Sequence, residues 1–174
     1  NSTKMLNETT EEELYEQSKL RLEEVMRLGT GAIEIKSGYG LTIEGELKML
    51  RVIQRLKSNY PIAIQATLLG AHAVPANFND NKAGYLQLLT DELIPKVAAE
   101  KLASYIDVFC ETGYFTIEET ALILATGKKY GLIPESIYKT RHSSKNTGSL
   151  NKLLKYKLRE FASEIMSPNK KSMK

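Results

Sequence analysis

The chain has 174 residues, 42% hydrophobic and 26% charged, which suits one domain with a sizeable core and is too apolar for a disordered chain. Its longest uncharged apolar run, Ile62 to Val74, is too short and interrupted to span a bilayer, and the polar first residues contain no secretory h-region. The net charge of +3 is unevenly spread: residues 1–134 carry 14 Lys and Arg against 18 Asp and Glu, whereas residues 135–174 carry 10 against 3. An ordinary acidic body is therefore followed by a basic tail.

Thr10 with Glu13 fits a capping box, in which a hydroxyl takes an orphan N–H and a carboxylate reaches back three residues later. Leu14, Leu22, Val25 and Met26 follow at helical spacing, and Gly29 is the stop. The alternating, β-branched "AIEIK" predicts a strand over 32–36. Thr42 is a candidate N-cap for a helix over 43–56, with Leu47, Leu50 and Ile53 on one side. After the break at Pro61, "IAIQATLLG" predicts a strand over 62–69, apolar enough for burial on both faces. A polar loop leads to a helical segment over 83–102, interrupted or kinked at Pro95. "YIDVFC" predicts a third strand over 105–110, Thr116 with Glu119 a second capping box, and Gly131 the end of that helix. "LIP" opens a fourth strand, and nothing after Glu135 is expected to supply another full strand in register.

Strict alternation of helix and strand makes this an α/β chain with parallel strands and helices packed on one side of the sheet. A doubly wound open sheet and part of a βα barrel both fit. Three strands and a stub cannot close a barrel, which needs roughly 250 residues.

In such folds chemistry gathers where strands end at their carboxyl side. Tyr39, His72 and Glu111 each follow a predicted strand and converge on one rim. Gly38 and Gly40 let the backbone turn sharply around Tyr39. Tyr39 fits a ligand contact and a packed turn aromatic equally well. His72, among small neighbours, fits a hydrogen-bonded core histidine or a group that donates to a carbonyl or shuttles a proton. Glu111 reads first as a cap or a lysine partner, and Cys110 as buried and inert. One cysteine and no h-region point to a reducing cytoplasm. Two histidines in all, with no His-x-His, His-Glu-x-x-His or Cys-x-x-Cys, argue against a zinc site within the chain. Walker A and G-x-G-x-x-G patterns are also missing. The tail lacks interleaved arginines and aromatics, so a nucleic-acid role is not favoured, and no membrane role is expected.

"EIKSGYGLTIEGELKMLRVIQRL", "ATLLGAHAVPANF" and "IDVFCETGYFTIEET" together resemble the imidazolonepropionases of the amidohydrolase superfamily. The resemblance covers most of residues 1–134 and implies an internal segment of a TIM-type βα barrel; residues 135–174 form an unmatched basic tail, helical or disordered. It implies hydrolysis of the ring C–N bond of 4-imidazolone-5-propanoate to N-formimidoyl-L-glutamate, a step of histidine degradation. It also implies a zinc or iron ion that activates water, and a possible homodimer. Tyr39 matches the substrate-binding tyrosine, and His72 the substrate-contacting histidine, which would support charge developing on the carbonyl oxygen. The family's first-strand His-x-His pair would lie before residue 1. His142 is too far past "GLIP" to replace the next metal histidine, and the metal aspartate is missing. No metal ligand is therefore expected here, and this chain alone is expected to be inactive. The composition change near Pro134–Glu135 reads as a frame change or fusion. The alternative is a non-catalytic βα-fold binding or interaction protein.

Overall fold

Four parallel strands form one sheet in chain order: β1 (Ala32–Lys36), β2 (Ala63–Ala71), β3 (Tyr105–Val108) and β4 (Ile133–Pro134). The computed structural model describes residues 2–135. The expectation of no further full strand in the tail, and the expected tail structure, lie outside the described residues. Lys36 is paired with Thr67, Thr67 with Tyr105, and Tyr105 with Ile133, so one row of residues crosses the whole sheet. This is the predicted parallel α/β arrangement.

The helices are α1 (Ser2–Glu8), α2 (Glu11–Arg27), α3 (Ile43–Asn59), α4 (Lys82–Gln87), α5 (Ile94–Ala99) and α6 (Ile117–Lys129). Both capping boxes form. Thr10 Oγ1 accepts from Glu13 N at 3.2 Å, and Thr116 Oγ1 accepts from Glu119 N at the same distance. Thr42 caps α3 through Gly45 N at 3.1 Å. Gly29 and Gly131 take φ of +92° and +86° just beyond α2 and α6, the left-handed turn that glycine adopts at little steric cost.

Alternation along the strands sorts side chains onto two faces. Ile33, Ile35, Ile64, Ala66, Leu68 and Ile106 pack towards the helices and are buried. Leu47, Leu50 and Ile53 of α3 close over them with at most 2% of their surface exposed. Each such side chain contributes roughly 1.5–3 kcal/mol by leaving water. Small residues allow close layers: a Cβ on Gly70 would lie 2.8 Å from Leu93, and one on Gly127 would lie 2.7 Å from Ile106.

Several details differ from the sequence expectation. The long helix over 83–102 is three pieces: α4, a π-helical turn over Leu88–Leu93, and α5. Pro95 has no N–H for the carbonyl four residues back, and the wider turn absorbs that loss just upstream. Strand β3 stops at Val108, two residues early: Phe109 N still donates to Ala71 O at 3.0 Å, but Cys110 makes an isolated bridge to Phe115 instead of continuing along β2. Helix α1 has no counterpart in the sequence reading, yet its Leu6 is fully buried.

Candidate functional site

The first strand ends at Lys36, and the segment Ser37–Leu41 then runs over the start of α3. Ser37 N donates to Thr67 O at 3.1 Å, and Ser37 Oγ accepts from Leu69 N at 3.0 Å. Gly38 has φ +115°, a region that L side chains rarely adopt. Gly40 lies against the first turn of α3, where an added Cβ would come within 2.5 Å of the Gly45 backbone. The two glycines thus have separate reasons: one for its backbone angles, the other for close packing.

What holds this loop is Glu46, a fully buried residue of α3. Its Oε2 accepts from Gly38 N at 2.8 Å, and its Oε1 accepts from Gly40 N and Leu41 N, both at 2.9 Å. Burial pushes this carboxyl upward in pKa, while the Ser37 hydroxyl and the three N–H groups oppose the shift. The three N–H groups can only donate, and they favour the carboxylate. Asn7 of α1 adds a second tie, its Nδ2 donating to Gly40 O at 3.0 Å. The result is a stiff loop that presents Tyr39, half-buried, at the rim.

His72 directly follows the last residue of β2, and its Nδ1 meets Gly38 O at 2.9 Å. The His72 and Tyr39 rings lie edge to face with centroids 5.5 Å apart. Tyr39 and His72 therefore share one rim, at the carboxyl ends of neighbouring parallel strands. Phe109, directly after β3, stands on the other side of His72 at 5.7 Å, and Tyr114 stacks edge-on to Phe109 at 4.6 Å. Four aromatic rings in sequence line the ends of three strands.

Glu111 is half-buried and takes no part in this row; no lysine pairs with its side chain among the described residues. The expectation of a cap or lysine partner for it is thus not met, because the early end of β3 carries residue 111 into the following turn. Cys110 is half-buried rather than buried, for the same reason.

The face of the sheet turned away from the helices is polar. Lys36 Nζ lies 2.8 Å from Asp107, 2.9 Å from Glu34 and 3.3 Å from Glu135, and Thr67 Oγ1 donates to Glu34 at 2.7 Å. Burial works against the Lys36 charge, but Asp107 and Glu34 outweigh it and hold the ammonium above the ordinary lysine range. Glu135 is raised by burial and by its hydrogen bond with Glu34, against the pull of Lys36. Glu34, opposed by burial, is lowered by that bond and by Lys36. Strand β2 is buried on both faces around its middle, as expected, but its second face is polar there: the fully buried Thr67 belongs to this cluster.

A zinc or iron centre is implied by the resemblance, and the described residues do not fit one. Among them no three His, Cys, Asp or Glu side chains are grouped to hold a metal ion. The carboxylates that do converge are centred on the Lys36 ammonium, which repels a cation. Among the described residues no helix is long and apolar enough to cross a membrane.

Known proteins resemble most of this chain. Imidazolonepropionases of Flavobacterium psychrophilum and Flavobacterium johnsoniae are each 64% identical over 135 residues, which is 78% of this chain and 33% of theirs. Over these 135 residues the chain is similar to imidazolonepropionases. The imidazolonepropionase of Christiangramia forsetii is 56% identical over the same length. The chain spans about a third of the length of these imidazolonepropionases. A profile described as Peptidase C1-like family also matches, over residues 120–174. The basic tail, unmatched by the three imidazolonepropionase motifs, thus has a likeness of its own. That match begins inside α6 and continues past the described residues.

Proposed function

We propose that residues 2–135 form the substrate-binding part of a cyclic amidohydrolase of the imidazolonepropionase kind, a partial βα barrel whose rim takes 4-imidazolone-5-propanoate. The observation that carries the reading is the Tyr39–His72 pair, with ring centroids 5.5 Å apart at neighbouring strand ends, on a chain 64% identical over 135 residues to the imidazolonepropionase of Flavobacterium psychrophilum. Tyr39 and His72 contact the substrate: the flat imidazolone ring packs at the aromatic row, and His72 hydrogen-bonds it and acts in the transition state. Glu46 and Asn7 hold the loop that fixes Tyr39. Ring opening in the whole family requires zinc or iron to activate water, and this chain's described residues do not build that centre. The chain therefore positions substrate without turning it over.

A graft tests this. Residues 2–134 replace the matching third of the Flavobacterium johnsoniae imidazolonepropionase. The graft is expected to hydrolyse the substrate; Tyr39→Phe should raise KM, and His72→Ala should lower kcat. A folded but inactive graft, or variants with unchanged kinetics, would refute the assignment.

A second reading concerns the C-terminal part and is favoured by the Peptidase C1-like match over residues 120–174. The chain joins an imidazolonepropionase-like segment to a peptidase-like one, with the change in composition at Pro134–Glu135 inside that span. Sequencing the encoding DNA on both sides tests it. An uninterrupted frame, with close relatives carrying the same tail, would overturn it.

A further inference from the structure

We propose that the Gly38 carbonyl holds His72 as its Nδ1–H tautomer, that Glu46 is the positioning residue behind that carbonyl, and that Nε2 is thereby left as a hydrogen-bond acceptor for a ligand N–H. The proposal rests on the reading of the rim as a substrate site and names what His72 recognises there.

The tautomer follows from the partner. A carbonyl oxygen only accepts, so at 2.9 Å from Gly38 O the proton sits on Nδ1. A neutral imidazole has one N–H, and this contact uses it. No other hydrogen bond of the His72 ring is made within the described residues. Nε2 then has a lone pair and no proton. It cannot donate to a substrate carbonyl unless the ring becomes doubly protonated, which departs from the donor role expected from sequence. The neutral imidazolone ring carries one N–H, and Nε2 is matched to it.

The carbonyl is not free to move away. Gly38 gives its own N–H to Glu46 Oε2 at 2.8 Å, so one residue is tied at both ends: nitrogen to the buried carboxylate, oxygen to the imidazole. The approach depends on glycine, because a Cβ at position 38 would lie 2.9 Å from Leu69 O and 3.1 Å from His72 Cβ. Tyr39 and Phe109, both edge-on to the imidazole at 76° and 77°, restrict its rotation about the remaining axis.

The test reads the proton directly. The full 174-residue chain is labelled with 15N and carries His142→Gln, which leaves His72 as the single histidine. Long-range 15N–1H correlation at about pH 8, above the ordinary histidine pKa, reports which nitrogen bears the proton. The expected result is a pyrrole-type Nδ1 and a pyridine-type Nε2, the reverse of the preference of free histidine in water. An Nε2–H ring, or an even mixture, overturns the proposal. Glu46→Gln should lose the Nδ1–H dominance, since an amide oxygen can serve Gly40 and Leu41 or Gly38 but not all three N–H groups. Unchanged dominance in that folded variant removes Glu46 from the assignment; the tautomer itself is decided by the Glu46 chain alone. An Nε2–H ring alongside an active graft would overturn this proposal and leave the substrate reading standing. An Nδ1–H ring with a folded, inactive graft would do the reverse.

Discussion

Replacing Lys36 by Met removes the one ammonium that three carboxyl groups of the polar face share. The lysine side chain is 9% exposed and Asp107 is 12% exposed, so this pair is nearly dry; Glu34 and Glu135, at 22% and 27%, are wetter and count for less. Taking one partner from a buried pair leaves an uncompensated charge and costs about 3–5 kcal/mol. Methionine fills most of the volume, so the loss is electrostatic rather than a cavity. The sign with pH follows from the shifts. Lys36, opposed by burial but raised by Asp107 and Glu34, contributes fully below the ordinary lysine pKa, and that stability is lost as pH rises through its raised value. Glu34 is lowered against the burial that opposes its charge, by Glu135 and Lys36. Its contribution is present above the ordinary glutamate pKa and is lost as pH falls through its lowered value. The penalty for Lys36→Met should therefore be greatest near neutrality and shrink in acid, where the stranded carboxylates take up protons. Urea unfolding followed by circular dichroism at about pH 7 and about pH 3 measures both arms. A neutral-pH loss below about 1 kcal/mol, the level of an exposed pair, would refute the argument. So would an equal loss at both pH values.

Glu46→Ala leaves two buried loop N–H groups and the part-buried one of Leu41 without an acceptor; at about 1–3 kcal/mol for each buried group it should rank among the most destabilising single changes, and hydrogen exchange at Gly38, Gly40 and Leu41 should rise together. Gly38→Ala should cost about 1–3 kcal/mol from its φ of +115°, with added loss of the His72 contact visible as altered ring shifts. Thr116→Ala should cost about 1 kcal/mol in urea unfolding by uncapping α6; no measurable change would mean that the box is idle. The purified chain, supplied with zinc or ferrous iron, should not consume 4-imidazolone-5-propanoate in an ultraviolet assay. Metal-dependent turnover free of contaminating enzyme would overturn the reading that no metal centre is built here.

Local chemistry was legible in the amino-acid sequence, and long-range chemistry was not. The capping boxes at Thr10–Glu13 and Thr116–Glu119, the Thr42 cap and the strand at 32–36 depend on contacts within a few residues, so spacing alone reveals them. The meeting of Tyr39 and His72 was also readable, because consecutive strands of an alternating α/β chain run parallel and end at one rim. Phe109 was not singled out: its place beside His72 depends on where β3 stops, and that is set by the pairing of Cys110 with Phe115. Glu46 looked like an ordinary charged residue early in a helix, where solvent is the usual partner; only the fold of the glycine loop back over α3 makes it a buried acceptor. Lys36 and Asp107 are 71 residues apart, and nothing in either neighbourhood names the other. Strand register decides that pairing. Four strands in order put positions 34, 36, 67, 107 and 135 on one face, and a charge can be buried there only because its counter-charges arrive with it.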